Sequence, residues 1–146
     1  HSALPVLLVV AGRPSGVAAP NLRDLGYRTD MEDVYRAVDC TVMASRFEPF
    51  GLVGVESVLC GTPVIGAADM GCMEVIAEPA ALPFEIDRPA SLQSAIDQAL
   101  ARWRAGTLGV ERPLSMLRYD PSVQAHLDAL LAGVERLRQA RRVPAS

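Results

Sequence analysis

Lysine is missing from this chain. All fourteen basic residues are arginine, against seventeen acidic ones, and the net charge is −3 at pH 7. No ε-ammonium is available to form a Schiff base or to hold a phosphate, and the arginine-only balance fits the codon usage of a GC-rich genome. The acidic excess gives no global basic field, so nucleic acid is not an expected partner. Cysteine is scarce and odd in number. Cys40, Cys60 and Cys72 form no Cys-x-x-Cys pair, and each lies in or beside an apolar stretch. Buried free thiols in a reducing, cytoplasmic setting are the expectation. No His/Cys/Asp cluster has metal-ligand spacing, and His126 stands alone on an amphipathic stretch as a surface or packing residue. No Gly-x-Ser-x-Gly elbow occurs. No Gly-x-Gly-x-x-Gly follows the first apolar run, which argues against a dinucleotide oxidoreductase. No signal peptide is expected from the first residues, and no apolar run is long enough to span a bilayer. Internal repeats and low-complexity segments are also lacking.

What is present suits one globular domain. The chain has 146 residues, half of them hydrophobic, enough for a sizeable core. His1-Ser2 reads as a tag remnant, and the domain is taken as residues 3–146. Residues 6–11 are a continuous Val/Leu run, as in a parallel strand buried on both faces. Residues 12–16 form a loop, and 17–24 are ambiguous. Asp30 is placed to cap a helix reaching Val38. Cys40 to Ala44 reads as a second buried strand, Val64-Ile65 as a third, and Ala81 to Phe84 as an edge strand. Gly51 to Cys60 is apolar nearly all round and reads as a well-buried helix, with Gly61 as its left-handed terminator and Pro63 blocking continuation. Residues 67–73 read as a loop before one helical turn at 74–78. Apolar residues at Leu92, Ala95, Ile96, Ala99, Leu100 and Trp103 give a clear amphipathic helix over 89–104. Residues 109–118 are a weak helix. Asp120 and Pro121 are read as the cap and first residue of a last helix to Arg141. Alternating strands and helices imply an α/β fold: a doubly wound, Rossmann-like parallel sheet with helices on both faces.

The stretch richest in chemistry is Glu48-Pro49-Phe50-Gly51-Leu52-Val53-Gly54-Val55-Glu56. It follows a strand and enters a helix, so both acids lie near the carboxyl end of the sheet. Ligands of open parallel sheets bind there, and helix N-termini suit phosphorylated ones. Glu56 falls about two turns into the helix, roughly 8 Å further along. That separation suits a ligand with hydroxyls at two ends, since ionised carboxylates accept strong bonds from hydroxyls. Taken alone, Glu48 could simply complement the helix dipole and Glu56 could be a surface residue.

The longer run from Ser45 to Ile76, SRFEPFGLVGVESVLCGTPVIGAADMGCMEVI, resembles the donor-binding motif of family 4 retaining glycosyltransferases of the GT-B fold. That motif has two Glu separated by seven residues, then Gly-x-Pro-Val-Ile, then a glycine loop with a further Glu. The likeness extends to Leu25-Gly26-Tyr27 and to Tyr35-Arg36-Ala37-Val38-Asp39, and spans roughly residues 5–140. It implies that Glu48 binds donor-sugar hydroxyls and favours charge build-up in the transition state, and that Glu56 binds the ribose. The backbone at Phe50, Gly51 and Leu52 would meet the sugar and distal phosphate, while the Phe50 ring packs in the core. Gly26 and Tyr27 would lie at the nucleobase, with Tyr27 either stacking on it or covering the sheet. Met70 stands where the family has the first glycine of its Gly-Gly-x-x-Glu loop, and Glu74 reads as a helix-start residue.

The resemblance further implies a nucleoside-diphosphate-sugar donor and no essential metal or other cofactor. The chain would be the C-terminal half of a two-domain enzyme, starting late, with an acceptor glycan or lipid held by an N-terminal domain and no turnover by this half alone. The basic end at Arg136, Arg138, Arg141 and Arg142 reads as a solvated helix terminus. In the full enzyme it could dock on the partner domain or make peripheral membrane contact. Two other readings stay open: a non-catalytic sugar-nucleotide binding domain, and a GT-B sugar-nucleotide epimerase.

Overall fold

A computed structural model describes residues 6–141. His1-Ser2 and Arg142 lie outside the described residues. The fold is α/β with parallel strands flanked by helices, as the alternation of elements implies, and the chain divides into two compact units at Val34/Tyr35. Among the described residues each unit has its own parallel sheet, of two and of three strands.

The first unit holds β1 (Leu8–Ala11) and β2 (Leu22–Gly26), paired in parallel with Leu8 opposite Leu22 and Ala11 opposite Gly26. The ambiguous segment thus contains the start of a strand. Residues 12–21 connect the two strands without a helix, although parallel pairs are usually joined through one. The turn is organised instead by Ser15, whose N–H and hydroxyl both donate to the Asp24 carboxylate at 3.1 and 2.9 Å. With no crossover helix of its own, β1 is not buried on both faces: Leu8 is exposed and Val9 to Ala11 are half-buried. The α1 helix (Met31–Ala37) begins in this unit, and its first bonds run to the Asp30 carbonyl. The Asp30 carboxylate does not cap it. That side chain takes a bidentate ion pair from Arg28 at 2.8 and 2.5 Å.

The second unit is built on β3 (Thr41–Met43), β4 (Val64–Ala67) and β5 (Ala81–Phe84), in that order and all parallel, with Val42 opposite Ile65 and Ile65 opposite Leu82. The central strand β4 is buried at every residue. Pro83 sits on the edge strand, where a missing N–H is tolerated. The α2 helix (Leu52–Leu59) links β3 to β4. It stops where Gly61 takes φ 92°: Gly61 N–H bonds the Val58 carbonyl and Thr62 N–H that of Ser57. One face of α2 is covered, at Gly54, Val55, Ser57 and Val58, while Leu52, Val53, Glu56 and Leu59 are exposed. The expectation of a helix buried all round fails because apolar residues do not dictate which faces are covered.

The α3 helix (Gly71–Val75) begins three residues earlier than expected and places Glu74 in its first turn. The α4 helix (Pro89–Arg104) has the bounds its periodicity predicts and packs Ala95 and Ala99 into the core beside β5. Trp103 does not join that core; its indole N–H donates to Asp39 at 3.0 Å. A short 3-10 turn (Pro113–Met116) replaces the weak helix. The last helix, α5 (Val123–Arg141), starts later than Pro121 because Ser122 caps it, accepting the Ala125 N–H at 3.2 Å, while Asp120 accepts the Ser122 N–H at 2.8 Å.

Candidate donor site at the end of β3

The loop leaving the carboxyl end of β3 carries Ser45, Arg46, Phe47, Glu48, Pro49 and Phe50 into the N-terminus of α2. Gly51 is the N-cap residue in the left-handed region, at φ 83° and ψ 65°, where a side chain would be strained. A Cβ there would also lie 2.8 Å from the Met43 methyl and 3.2 Å from the Cys72 sulfur. This close packing folds the loop back over the sheet. The Glu48 carboxylate accepts the Gly51 N–H at 3.1 Å, so this first-turn donor, read from sequence as open to a ligand, is taken by Glu48 itself.

A second fastening comes from α3. Gly71 N–H donates to the Pro49 carbonyl at 3.2 Å and Cys72 N–H to that of Phe50 at 2.7 Å. Gly71 is required there, because a Cβ would meet the Pro49 oxygen at 2.8 Å. The close backbone approach therefore occurs at Gly71, while Met70, which stands where the resembled motif has its first glycine, buries its side chain. The Phe50 ring packs against the core, as expected. The Arg46 guanidinium reaches Asp87 at 2.8 Å and ties the β3 loop to the loop after β5.

These ties frame a cleft of about 260 Å³, lined by Ser45, Arg46, Phe47, Glu48, Pro49, Asp69 and Met70. Phe47 is 95% exposed beside Glu48. The motif reading missed Arg46, Phe47 and Asp69; the run Ser45-Arg46-Phe47 directly before Glu48 was the available signal.

Glu56 lies on the exposed face of α2, one turn beyond Leu52. Its Oε2 accepts the Tyr35 hydroxyl at 2.9 Å. The Tyr35 phenol is driven well above its ordinary range, first by burial and then by this bond to the carboxylate, so it stays a donor. Beneath it runs a buried polar chain. Thr62 donates to the Tyr35 carbonyl at 2.6 Å, Ser57 donates to the Thr62 carbonyl at 3.0 Å, and the Thr41 and Ser57 hydroxyls meet at 2.7 Å. Gly26 and Tyr27 belong to the first unit. Gly26 ends β2 at φ 68°, and Tyr27 is 82% exposed. Cys72 is buried under the loop, and its thiol is pushed up mainly by loss of solvent. Cys40, Cys60 and Cys72 are all free thiols, with Cys72 fully buried and the other two half-buried. Among the described residues no helix is long and apolar enough to cross a membrane.

The family profile "Glycosyl transferases group 1" matches residues 19–106, more than half of the chain. The chain belongs to this family. A probable transglycosylase of Burkholderia thailandensis is 48% identical over 129 residues, covering 86% of this group 1 glycosyl transferase chain and 36% of that protein. Among solved structures, sucrose-phosphate synthase from Thermosynechococcus elongatus superposes with a TM-score of 0.61 at 25% identity, covering 94% of this chain and 39% of that one. Anabaena HepE, solved in complex with UDP, gives a TM-score of 0.55 at 27% identity over 62% of this chain and 25% of its own. The chain thus spans about a third of the length of the curated relatives it matches.

Proposed function

We propose that this chain is the donor-binding, C-terminal domain of a family 4 retaining glycosyltransferase of the GT-B fold. The observation that carries the proposal is the pairing of Glu48 and Glu56 on one loop-and-helix segment after β3, each carboxylate held by a defined hydrogen bond. A nucleoside-diphosphate hexose would extend along α2. Glu48 would take the sugar hydroxyls and Glu56 the ribose. The backbone of Phe50 and Leu52 would face the sugar and the distal phosphate, with the Gly51 N–H held by Glu48, and Gly26 with Tyr27 would serve the nucleobase. UDP in Anabaena HepE supports a nucleoside-diphosphate ligand. The carboxylates and helix N-terminus would hold the donor without a metal, and no other cofactor is needed. Glu48 accepts hydrogen bonds at the sugar and stabilises positive charge as the leaving diphosphate departs, a preorganised electrostatic effect. A partner domain outside this chain would bring the acceptor hydroxyl, on a glycan or lipid, in the cytoplasm and with peripheral membrane contact where the acceptor is a lipid.

The test is diphosphate release and sugar transfer by the full-length protein over a panel of nucleoside-diphosphate hexoses. Glu48→Ala should lower turnover by about a hundredfold or more, the range for removing one preorganised polar group. Unchanged turnover ends that role for Glu48. Donor binding without any turnover by the wild type points to a binding domain, and an epimerised nucleotide sugar formed without acceptor points to an epimerase.

A further inference from the structure

Glu56 has two carboxylate oxygens, and only Oε2 has a hydrogen-bond partner among the described residues, the Tyr35 hydroxyl at 2.9 Å. Tyr35 is well anchored for the task. It is 4% exposed, and its carbonyl accepts the Thr62 hydroxyl at 2.6 Å. Thr62 in turn belongs to the turn that ends α2, where its N–H bonds the Ser57 carbonyl and its own carbonyl accepts the Ser57 hydroxyl. The phenol and the helix that carries Glu56 are thus held to the same short turn. A glutamate on an exposed helix face otherwise samples many rotamers, and binding must then order it at a cost in affinity.

We propose that Tyr35 is a positioning residue for donor binding: its hydroxyl holds Glu56 by Oε2 and leaves Oε1 to accept a ribose hydroxyl. This rests on the reading of Glu56 as the ribose contact. Tyr35 is buried and would not itself meet the ligand. It acts by fixing the carboxylate before the ligand arrives, and it matters only for ligands that carry ribose hydroxyls. A purely structural role would affect all ligands alike.

The experiment is calorimetric titration of the full-length protein with UDP, GDP and ADP, and with the 2′,3′-dideoxy form of whichever binds. Wild type, Tyr35→Phe, Glu56→Ala and the double variant are compared. Tyr35→Phe keeps the buried ring and removes only the donor. Wild type should prefer the ribose form by about tenfold or more, as a site with a polar group aimed at a hydroxyl does. Tyr35→Phe should weaken the ribose form by about three- to tenfold, the worth of one ordinary net hydrogen bond, and leave the dideoxy form within about twofold. In the Glu56→Ala background the same change should add nothing, which isolates the coupling between the two residues. Equal weakening of both ligands, no weakening, or additive loss in the double variant overturns the positioning role. Failure of the ribose reading is separable, because it shows in the wild type and Glu56→Ala alone: no preference for the ribose form, or no nucleotide bound, removes Glu56 as ribose contact and the Tyr35 proposal with it.

Discussion

β1, Leu-Val-Val-Ala, and β4, Val-Ile-Gly-Ala, are parallel strands of equal length and similar composition. Yet Leu8 is 46% exposed while Val64 is wholly buried. The connections account for the contrast. β1 reaches β2 through ten residues without a helix, whereas β3, β4 and β5 are joined through α2 and α3 and followed by α4. A parallel strand is buried by the helices of its crossovers rather than by its own hydrophobicity. The same helices build the site. α2 carries Glu56, and α3 supplies the two N–H groups that pin the Glu48 loop. The Glu48 loop therefore hangs on the covered sheet, and its geometry depends on that sheet's packing.

The sharpest test of the contrast is a cavity in the covered sheet. Ile65 is 2% exposed at the centre of β4, between Val42 and Leu82. Ile65→Ala should destabilise by about 2–5 kcal/mol, as buried Ile→Ala changes do, read from the urea midpoint. A loss below about 1 kcal/mol, the size expected of a surface site, would break the comparison.

An intermediate effect comes from alkali. Burial pushes the Cys40 thiol, at the entrance to β3, up to about 11 from an ordinary value near 9. The folded state thus keeps a proton that the unfolded state releases first. The stabilisation is complete below the unfolded value and is lost as pH rises through about 9 towards 11, by up to about 3 kcal/mol. Cys40→Ser should make the fall across that window shallower in pH-dependent urea melts, leaving the part due to the raised Cys72 thiol and Tyr35 phenol. An unchanged fall between pH 9 and 11 would assign it to other groups. The covered unit alone can show this effect, since no cysteine precedes Tyr35.

Much of the second unit could be read from sequence because its signals are local. Pro89 at the first helical position and apolar residues every three or four places fixed the bounds of α4. Gly61 ended α2 because the turn needs positive φ. The Glu48–Glu56 spacing placed both acids on one strand-loop-helix unit. What stayed hidden depends on distant partners. β2, Leu-Arg-Asp-Leu-Gly, carries two charges and no apolar alternation, so only its pairing with β1 makes it a strand. The exposed side of α2 looked like core because Leu52, Val53 and Leu59 are apolar whichever way they face. Asp120 seemed a better helix cap than Ser122 until the hydrogen bonds showed Asp120 supporting Ser122 instead. Tyr35 and Glu56 are 21 residues apart, and no periodicity joins them.

The smallest expected effect lies in the exposed sheet and is the control for the largest. Val9 is half-buried in β1, opposite Arg23. Val9→Ala removes two methyl groups that already meet solvent in part, so little transfer free energy is lost and no closed cavity forms. The cost should stay below about 1 kcal/mol, read by the same urea titration as Ile65→Ala. A Val9→Ala loss matching that of Ile65→Ala would mean that β1 is covered in solution by something other than its own crossover. The double variant would then test whether the two sheets share that cover, since losses at independent sites add and those at coupled sites do not.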